Sequence, residues 1–206
     1  MLKLKNFLFD LDGVLINACD WHFETLNDAL TYSGYAPISA EDHANKFNGL
    51  PSKTKLSMLG IEQIHHESIV QKKAEYLQSI LDTRCGLDQD KINLLKHLKN
   101  KNGKIACVTN SVSHTAHTVL KKMGIICYFD MIISNEIVSK NKPDPEPYNM
   151  AVETLGINPF ETMIVEDSIK GFLAAAASKI SVIWKVPDAS FVTIDNYINL
   201  FEDCHE

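Results

Sequence analysis

The sequence predicts an α/β protein in which a doubly wound parallel sheet forms a Rossmann-like core and a small α-helical domain is inserted after the first strand. Two observations lead to this prediction. Short apolar runs without polar alternation recur along the chain, as in strands covered on both faces, and segments with helical apolar spacing separate them. One long segment after the first run has helical spacing only, which indicates a separate helical domain.

The strands are predicted from the apolar runs, each three or four residues long. These runs are Asn6–Phe9, Ile105–Val108, Met131–Ile133, Met163–Val165 and Val182–Trp184. Because strand and helix alternate from residue 104 to 184, right-handed crossovers are expected to place helices on both faces of a parallel sheet. In such sheets ligands bind beyond the carboxyl ends of the strands, so the site is expected there.

Two helices of the core are predicted from apolar residues at i, i+3, i+4 and i+7. The first pattern covers residues 116–123 and stops at Gly124, and the second covers residues 148–155 and stops at Gly156. A glycine directly after the last apolar position is a common end of a helix. Both segments are therefore predicted to be amphipathic helices that pack on the sheet.

The inserted domain is predicted to cover residues 17–85, which leaves residues 1–16 and 86–206 for the core. Phe23, Leu26 and Leu30 form one helical stripe that ends near Gly34, and residues 69–81 form another. No Gly/Ser-rich linker is visible, so the two crossings between the domains are expected to be short hinges.

Composition and charge exclude several classes of protein. The chain has 206 residues, of which 45% are hydrophobic and 22% charged, which is typical of a globular protein with one full domain and a smaller companion. With 20 basic and 26 acidic residues the formal charge is −6, which argues against a nucleic-acid partner. No membrane span is proposed, because no apolar stretch is long enough. Five cysteines without a Cys-x-x-Cys pair favour reduced thiols in a cytoplasm, and the oligomeric state is left open.

Two carboxylates follow the first predicted strand. Asp10 and Asp12 lie two residues apart, directly before Gly13, so both can point into one crevice at the strand end. Taken alone, these residues are also compatible with an ordinary turn, since Asp before Gly favours turns.

Polar residues also follow the next strand and precede a later helix. Thr109, Asn110 and Ser111 offer hydroxyl and amide donors directly before a helix, although a serine there is often only a cap. Lys142 lies in a loop stiffened by two prolines, where a solvated surface lysine is the simpler interpretation.

Two further acids, Glu166 and Asp167, follow a later buried strand, and they too are compatible with a helix cap. All four motifs, however, come in order at the loop ends of successive strands of one predicted sheet. Carboxylates that converge there repel each other unless a cation lies between them, and hard oxygen ligands suit magnesium. Magnesium together with a lysine and hydroxyls suits phosphate, so the residues predict phosphoryl transfer through an aspartyl-phosphate.

With these motifs the sequence resembles the haloacid dehalogenase superfamily, specifically its phosphatase and beta-phosphoglucomutase-like branch, whose helical cap domain follows the first strand. The resemblance implies that Asp10 is the nucleophile and that Asp12 is the general acid and base. It also implies a set of residues that hold the phosphate, namely Thr109, Asn110 and Lys142.

The resemblance further implies a magnesium cofactor. Mg²⁺ would take the carboxylates of Asp10 and Asp167 and the backbone carbonyl of Asp12, with Glu166 orienting the lysine or a metal-bound water. The expected activity is a magnesium-dependent phosphatase that hydrolyses a small phosphomonoester of the sugar or polyol phosphate class, so the expected partner is a small phosphorylated metabolite.

Two other activities are weighed against the phosphatase. A mutase similar to beta-phosphoglucomutase has a histidine at the cap hinge, as His22 is here, but also an Asp and a hydroxyl residue where this chain has Asn17 and Ala18. Hydrolysis is therefore favoured over the mutase reaction. A non-catalytic binding protein on the same fold is disfavoured, because every matched catalytic position retains its residue.

A loop of the cap is expected to contact the substrate. Residues 48–53, which include Gly49 and Lys53, resemble the loop by which caps of this superfamily select substrates. An ordinary turn before a helix explains the same residues, so this assignment depends on the resemblance alone.

Overall fold

The computed structural model describes residues 3–202 of the chain. Cys204, one of the five cysteines, and the other residues at the two termini lie outside this range. No helix in the described range is both long and apolar enough to cross a membrane.

Five strands of the described range form one parallel sheet in the order β3-β2-β1-β4-β5. The strands are β1 (Asn6–Phe9), β2 (Ile105–Val108), β3 (Met131–Ile133), β4 (Thr162–Glu166) and β5 (Val182–Lys185). The predicted doubly wound α/β fold is confirmed, and β4 and β5 are slightly longer than their apolar runs. β4 includes Glu166, so this acid belongs to the strand itself rather than to the loop after it.

Burial differs between the centre and the edges of the sheet. All residues of β1, β2 and β4 are buried, whereas β3 and β5 are only partly so. Strands β3 and β5 are partly exposed because, as the edge strands, each has a neighbouring strand on one side only. In the centre, Phe9 lies opposite Cys107 on one side and Val165 on the other, so β1, β2 and β4 end at one edge of the sheet.

Helices account for most of the remaining described residues. They are α1 (Cys19–Tyr32), α2 (Ala40–Asp42), α3 (Ser52–Met58), α4 (Gln63–Arg84), α5 (Gln89–Lys99), α6 (Ser113–Lys122), α7 (Glu146–Leu155), α8 (Ile169–Ala177) and α9 (Ile194–Phe201). As the sequence predicts, α7 ends at Gly156, whose φ of +61° is the left-handed conformation that favours glycine. Ser168 caps α8, because its Oγ accepts a hydrogen bond from the Gly171 N–H at 3.0 Å.

The chain divides into two compact units. One contains the sheet and comprises the described residues up to Asn17 and from Gly86 onward, and the other comprises the helical residues Ala18–Cys85. Asn17, which the sequence analysis assigns to the helical domain, falls in the sheet unit, where its side-chain oxygen accepts a hydrogen bond from the Ala189 N–H at 3.0 Å.

Each unit has an apolar core of its own. In the sheet unit, strand residues such as Leu8 and Ile164 pack with Ala151 of α7 and Ala174 of α8. In the helical unit, the buried residues that pack together come from α1, α3, α4 and the segments between them; they are Leu26, Ala29, Leu30, Ile38, Phe47, Leu56, Ile61 and Ile69. The helical stripe predicted for α1 is therefore a core-facing stripe.

Candidate active site

The turn after β1 fixes Asp10 at the centre of the sheet edge. The Asp10 N–H donates to the Val165 carbonyl at 3.1 Å, so the backbone ladder continues past the last strand residue. Beyond it the chain closes a tight loop in which the Gly13 N–H donates to the Ile16 carbonyl at 2.7 Å. Gly13 has φ +89°, and a Cβ there would lie 2.1 Å from Oδ2 of Asp167. Only glycine lets this loop lie against that carboxylate.

Lys142 lies buried at the same edge and is bound on three sides. Its Nζ donates to Oδ1 of Asp10 at 2.7 Å, to Oε1 of Glu166 at 2.5 Å and to the Val108 carbonyl at 2.7 Å. The side chain is 3% exposed, so the interpretation as a solvated surface lysine is wrong. The three acceptors lie at the ends of three different strands, β1, β2 and β4. Together they fix the position of the ammonium group.

Glu166 is the most enclosed acid of the cluster, with no exposed surface. Besides Lys142, the hydroxyl of Tyr148 donates to its Oε1, and the Ser168 hydroxyl donates to its Oε2 at 3.4 Å. A Cβ on Gly171 would lie 1.9 Å from Oε2, so the first turn of α8 packs directly on this carboxylate. Of the two roles expected for Glu166, these contacts favour orientation of the lysine.

The charges of the cluster act on one another. Burial by itself would lower the pKa of Lys142, but the negative charges of Asp10 and Glu166 outweigh it and raise the pKa above its ordinary value, so the lysine stays protonated. Burial also raises the pKa of Asp10, and the positive charge of Lys142 works in the opposite direction. The cluster is therefore a buried lysine held between two acids.

Asp167 is the member of the cluster that fits a metal ion. One oxygen each of Asp10, Glu166 and Asp167 lie within 4.8 Å of one another. The Oδ1 atom of Asp167 is buried and has no hydrogen-bond partner among the described residues. Burial, followed by the charge of Glu166, raises the pKa of Asp167 to about 6. An unpartnered carboxylate oxygen beside two more carboxylates is the donor set that hard divalent cations such as Mg²⁺ prefer.

The segment after β2 holds Lys142 through its backbone. Nδ2 of Asn110 donates to the Lys142 carbonyl and the Lys142 N–H donates to Oδ1 of Asn110, both at 3.2 Å. The Asn110 side chain thus fixes the loop that carries the lysine, a role that the sequence alone does not predict for it. Thr109 is buried, and its Oγ1 accepts a hydrogen bond from the Ser111 N–H at 3.0 Å. The hydroxyl hydrogen of Thr109 takes no part in this bond.

Two residues with polar contacts in this cluster were missed as site residues. Ser111 donates from its Oγ to Oδ2 of Asp12 at 2.6 Å, although the sequence alone is compatible with a donor at the strand end and with a helix cap. Tyr148 was assigned to the apolar stripe of α7, yet its hydroxyl binds Glu166 and its ring lies 4.8 Å from the Lys142 ammonium. The available signal was that a buried tyrosine needs a partner for its hydroxyl.

The three residues predicted for the cap all lie in the helical unit. His22 is half-buried in α1, and Gly49 is exposed in the turn before α3, with φ +70°. Lys53 is exposed in α3, and its Nζ forms an ion pair with Oε2 of Glu67 at 2.7 Å. Their contacts within this unit assign them no chemical role, so their part in substrate binding stays a prediction.

Known proteins resemble the chain over nearly its whole length. The model of the haloacid dehalogenase-like hydrolase family matches residues 7–185. A protein of Clostridium perfringens that bears the pyrophosphatase name PpaX is 34% identical over 172 residues, which is 83% of this chain and 78% of that protein. The phosphorylated carbohydrates phosphatase of Thermotoga maritima is 26% identical and covers 89% of this chain and 85% of its own length.

Solved structures agree in fold. The beta-phosphoglucomutase of Clostridium difficile superposes with a TM-score of 0.76 over 96% of each chain, at 23% identity. At that level of identity the likeness concerns the fold alone. The family model and the Clostridium perfringens relative confirm the resemblance found in the sequence: the chain belongs to the haloacid dehalogenase-like hydrolase family.

Proposed function

We propose that the protein is a magnesium-dependent phosphatase that hydrolyses a small phosphomonoester through an aspartyl-phosphate on Asp10. The observation that carries this proposal is the buried Lys142, bound at once by Asp10 and Glu166, beside the unpartnered oxygen of Asp167. A fixed cation next to a fixed carboxylate suits attack on phosphate, because the cation offsets the repulsion between the two anions.

In the first step, an Asp10 carboxylate oxygen forms a bond to phosphorus. The bond between phosphorus and the leaving oxygen breaks, its electron pair stays on that oxygen, and Asp12 supplies a proton to it. The alcohol departs, and the phosphoryl group remains on Asp10. Lys142 holds Asp10 in place and stabilises the charge on the phosphoryl oxygens, and Thr109, which directly follows β2, is assigned to the same task.

In the second step, Asp12 takes a proton from water as the water oxygen bonds to phosphorus. The bond between phosphorus and Asp10 breaks, and its electron pair returns to the Asp10 carboxylate. Orthophosphate is released, Asp10 is again a carboxylate, and Asp12 again holds the proton that it supplies to the next leaving oxygen. Asp12 thus serves as acid in one step and as base in the other.

Magnesium would be held by the carboxylates of Asp10 and Asp167 and the backbone carbonyl of Asp12. When bound, it supplies positive charge against the phosphoryl oxygens, as divalent ions do in phosphoryl transfer. Glu166 contributes by keeping Lys142 protonated and in position.

The substrate class follows from the relatives by analogy. One relative carries a pyrophosphatase name and another acts, by its name, on phosphorylated carbohydrates. We propose the sugar or polyol phosphates as the class for this chain, with inorganic pyrophosphate as the competing substrate that the C. perfringens protein suggests. The helical unit, residues 18–85, is proposed as the cap that selects among them.

The test is the release of orthophosphate. The purified protein is incubated with p-nitrophenyl phosphate, with a panel of sugar and polyol phosphates and with pyrophosphate, and kcat/KM is compared across the panel. Turnover is expected to stop in the presence of a chelator and to return when magnesium is added. The absence of turnover on every ester would contradict the proposal and favour a binding protein on this fold.

The mutase remains the second candidate, because His22 lies where the mutase-like branch has its hinge histidine. Against it, the side chain of Asn17 is engaged by the Ala189 N–H instead of being an acid near the site. The two reactions are separated by their products, since a mutase returns a sugar phosphate isomer where a phosphatase returns orthophosphate and the free sugar.

A further inference from the structure

We propose that Ser111 is a positioning residue that orients the carboxyl group of Asp12 for proton transfer to the leaving oxygen. The inference rests on the proposed function, in which Asp12 is the general acid. It adds a residue whose hydroxyl contacts Asp12. Loss of that hydroxyl is expected to slow proton transfer to the leaving oxygen in the first step.

The contact itself is short. Oγ of Ser111 donates to Oδ2 of Asp12 at 2.6 Å, a distance at which a hydroxyl binds a charged carboxylate strongly. A carboxyl group that is bound through one oxygen loses its freedom to rotate about the bond to its Cβ. The second oxygen, Oδ1, then points in a fixed direction.

The backbone of Ser111 is held on both sides, so its hydroxyl is a fixed donor. Its N–H donates to Oγ1 of Thr109 at 3.0 Å, and its carbonyl accepts the Asn135 N–H at 3.2 Å. These partners follow β2 and β3, two neighbouring strands of the sheet. The position of Ser111 relative to β1, and hence to Asp12, is therefore set by the sheet.

A cap for α6 is the simpler explanation of a serine at this place, and the structure does not support it. Helix α6 begins at Ser113 after Val112, whose side chain forms no cap, and the Ser113 N–H donates to Oε2 of Glu136 at 2.7 Å. Oγ of Ser111 is directed at Asp12 instead. Its contact therefore serves the sheet edge and not the helix.

Orientation matters because the proton must reach the leaving oxygen as the bond from phosphorus to that oxygen breaks and the electron pair moves onto it. A displacement of about 1 Å in a catalytic group costs up to about 10²-fold in rate. The cost depends on the leaving group. An acidic phenol departs without a proton, whereas a weakly acidic one needs it.

The experiment uses a graded series of aryl phosphates, from p-nitrophenyl phosphate to p-methoxyphenyl phosphate, with the full-length protein and magnesium. The parameter is kcat/KM, because it reports the steps up to release of the phenol and not the later attack by water. Ser111→Ala is expected to lose about 10- to 100-fold on the poorest leaving group and less than about threefold on p-nitrophenyl phosphate. The dependence of rate on the acidity of the phenol thus becomes steeper.

Three single variants and one double variant complete the test. Ser113→Ala removes a hydroxyl two residues away, which lies 3.4 Å from Nδ1 of His117, and it should leave the whole series unchanged. Ser111→Thr keeps the hydroxyl and should restore much of the lost rate. Asp12→Asn should show the steep dependence by itself, and adding Ser111→Ala to it should cost little more, because the two residues act on the same proton.

An equal loss on every aryl phosphate would overturn the proposal and assign Ser111 to phosphate binding or to the fold, and an unchanged series would overturn it as well. Thermal unfolding of each variant shows whether the fold is intact. If Ser111→Ala does not fold, Ser111→Cys replaces it, because the thiol keeps about the size of the side chain but is a much weaker donor, and it should show the same steeper dependence. The failure of the proposed function is distinguishable, because the wild-type protein would then turn over none of the aryl phosphates, or Asp10→Asn would turn them over equally well.

Discussion

The sheet edge and the predicted cap loop each place a lysine against a carboxylate, and the two pairs differ in almost every physical respect. The side chain of Lys142 is 3% exposed and contacts two acids and a backbone carbonyl. The side chain of Lys53 is 60% exposed, and its partner Glu67 is 79% exposed. One cation is fixed by contacts from several strands, whereas the other lies in water with one partner on the same helical unit.

The difference teaches where specificity of position comes from. A buried charge that loses its partner has no water to replace it, which costs several kcal/mol. The pair at the sheet edge is therefore held in one geometry. An exposed pair competes with water and salt, so it fixes little and its lysine can exchange partners. Chemistry that needs a rigid array belongs at the sheet edge, and recognition of varied substrates suits the exposed lysine.

The largest effect is expected from the nucleophile. Asp10→Asn should reduce phosphate release by roughly 10⁴-fold or more, because an amide does not attack phosphorus and no second group replaces it. Steady-state assays on p-nitrophenyl phosphate measure the loss. Circular dichroism and thermal unfolding should show an intact fold, since the amide keeps the shape of the carboxylate and Lys142 retains Glu166. Activity within tenfold of the wild type would refute the role of Asp10.

The next effect concerns the buried cation. Lys142→Met should lower the free energy of unfolding by about 3–5 kcal/mol, because Asp10 and Glu166 then face each other without a positive charge. Urea denaturation measures this change. Lys104→Met is the control, because Lys104 pairs with Asp130 at 3.3 Å on a half-exposed surface of the same unit and should cost far less. Equal losses from the two variants would mean that burial does not distinguish the pairs.

A smaller effect is expected from the hydroxyl of Tyr148, which donates to Glu166. Tyr148→Phe removes one of the donors to the fully buried Glu166, so we expect a loss of about 1–3 kcal/mol in stability and a fall in kcat with little change in KM. The control is Tyr197→Phe, a second buried tyrosine, in α9. The control should keep full kcat. If Tyr148→Phe kept full kcat as well, the hydroxyl of Tyr148 would have no part in holding Glu166 and Lys142 for catalysis.

The smallest effect on stability is expected at the exposed pair. Lys53→Ala should leave the melting temperature nearly unchanged, since exposed ion pairs contribute little. It should change the ranking of sugar and polyol phosphates by kcat/KM more than it changes hydrolysis of p-nitrophenyl phosphate. Lys46→Ala is the matched control, because Lys46 is 63% exposed and paired with Asp42 in the same unit. A uniform loss on every substrate would assign Lys53 to a structural task.

The sequence predicted the fold and most of the sheet-edge residues because both depend on local patterns. Apolar runs fix which segments are strands, and the carboxyl ends of parallel strands meet at one edge whatever the side chains. Asp10 and Lys142 could therefore be placed together from the order of the motifs. The sequence did not reveal that β3 and β5 are edge strands, because a run of three or four apolar residues does not show how many neighbours a strand has.

The tertiary structure alone decided which atoms meet. The contact of Ser111 with Asp12 joins residues 99 apart in sequence, and that of Asn110 with the Lys142 backbone joins residues 32 apart. A short polar residue after a strand is as compatible with a cap as with a distant partner, so the pattern could not choose. The choice depends on the register of neighbouring strands and on the direction of each side chain, which packing fixes only once the sheet has formed.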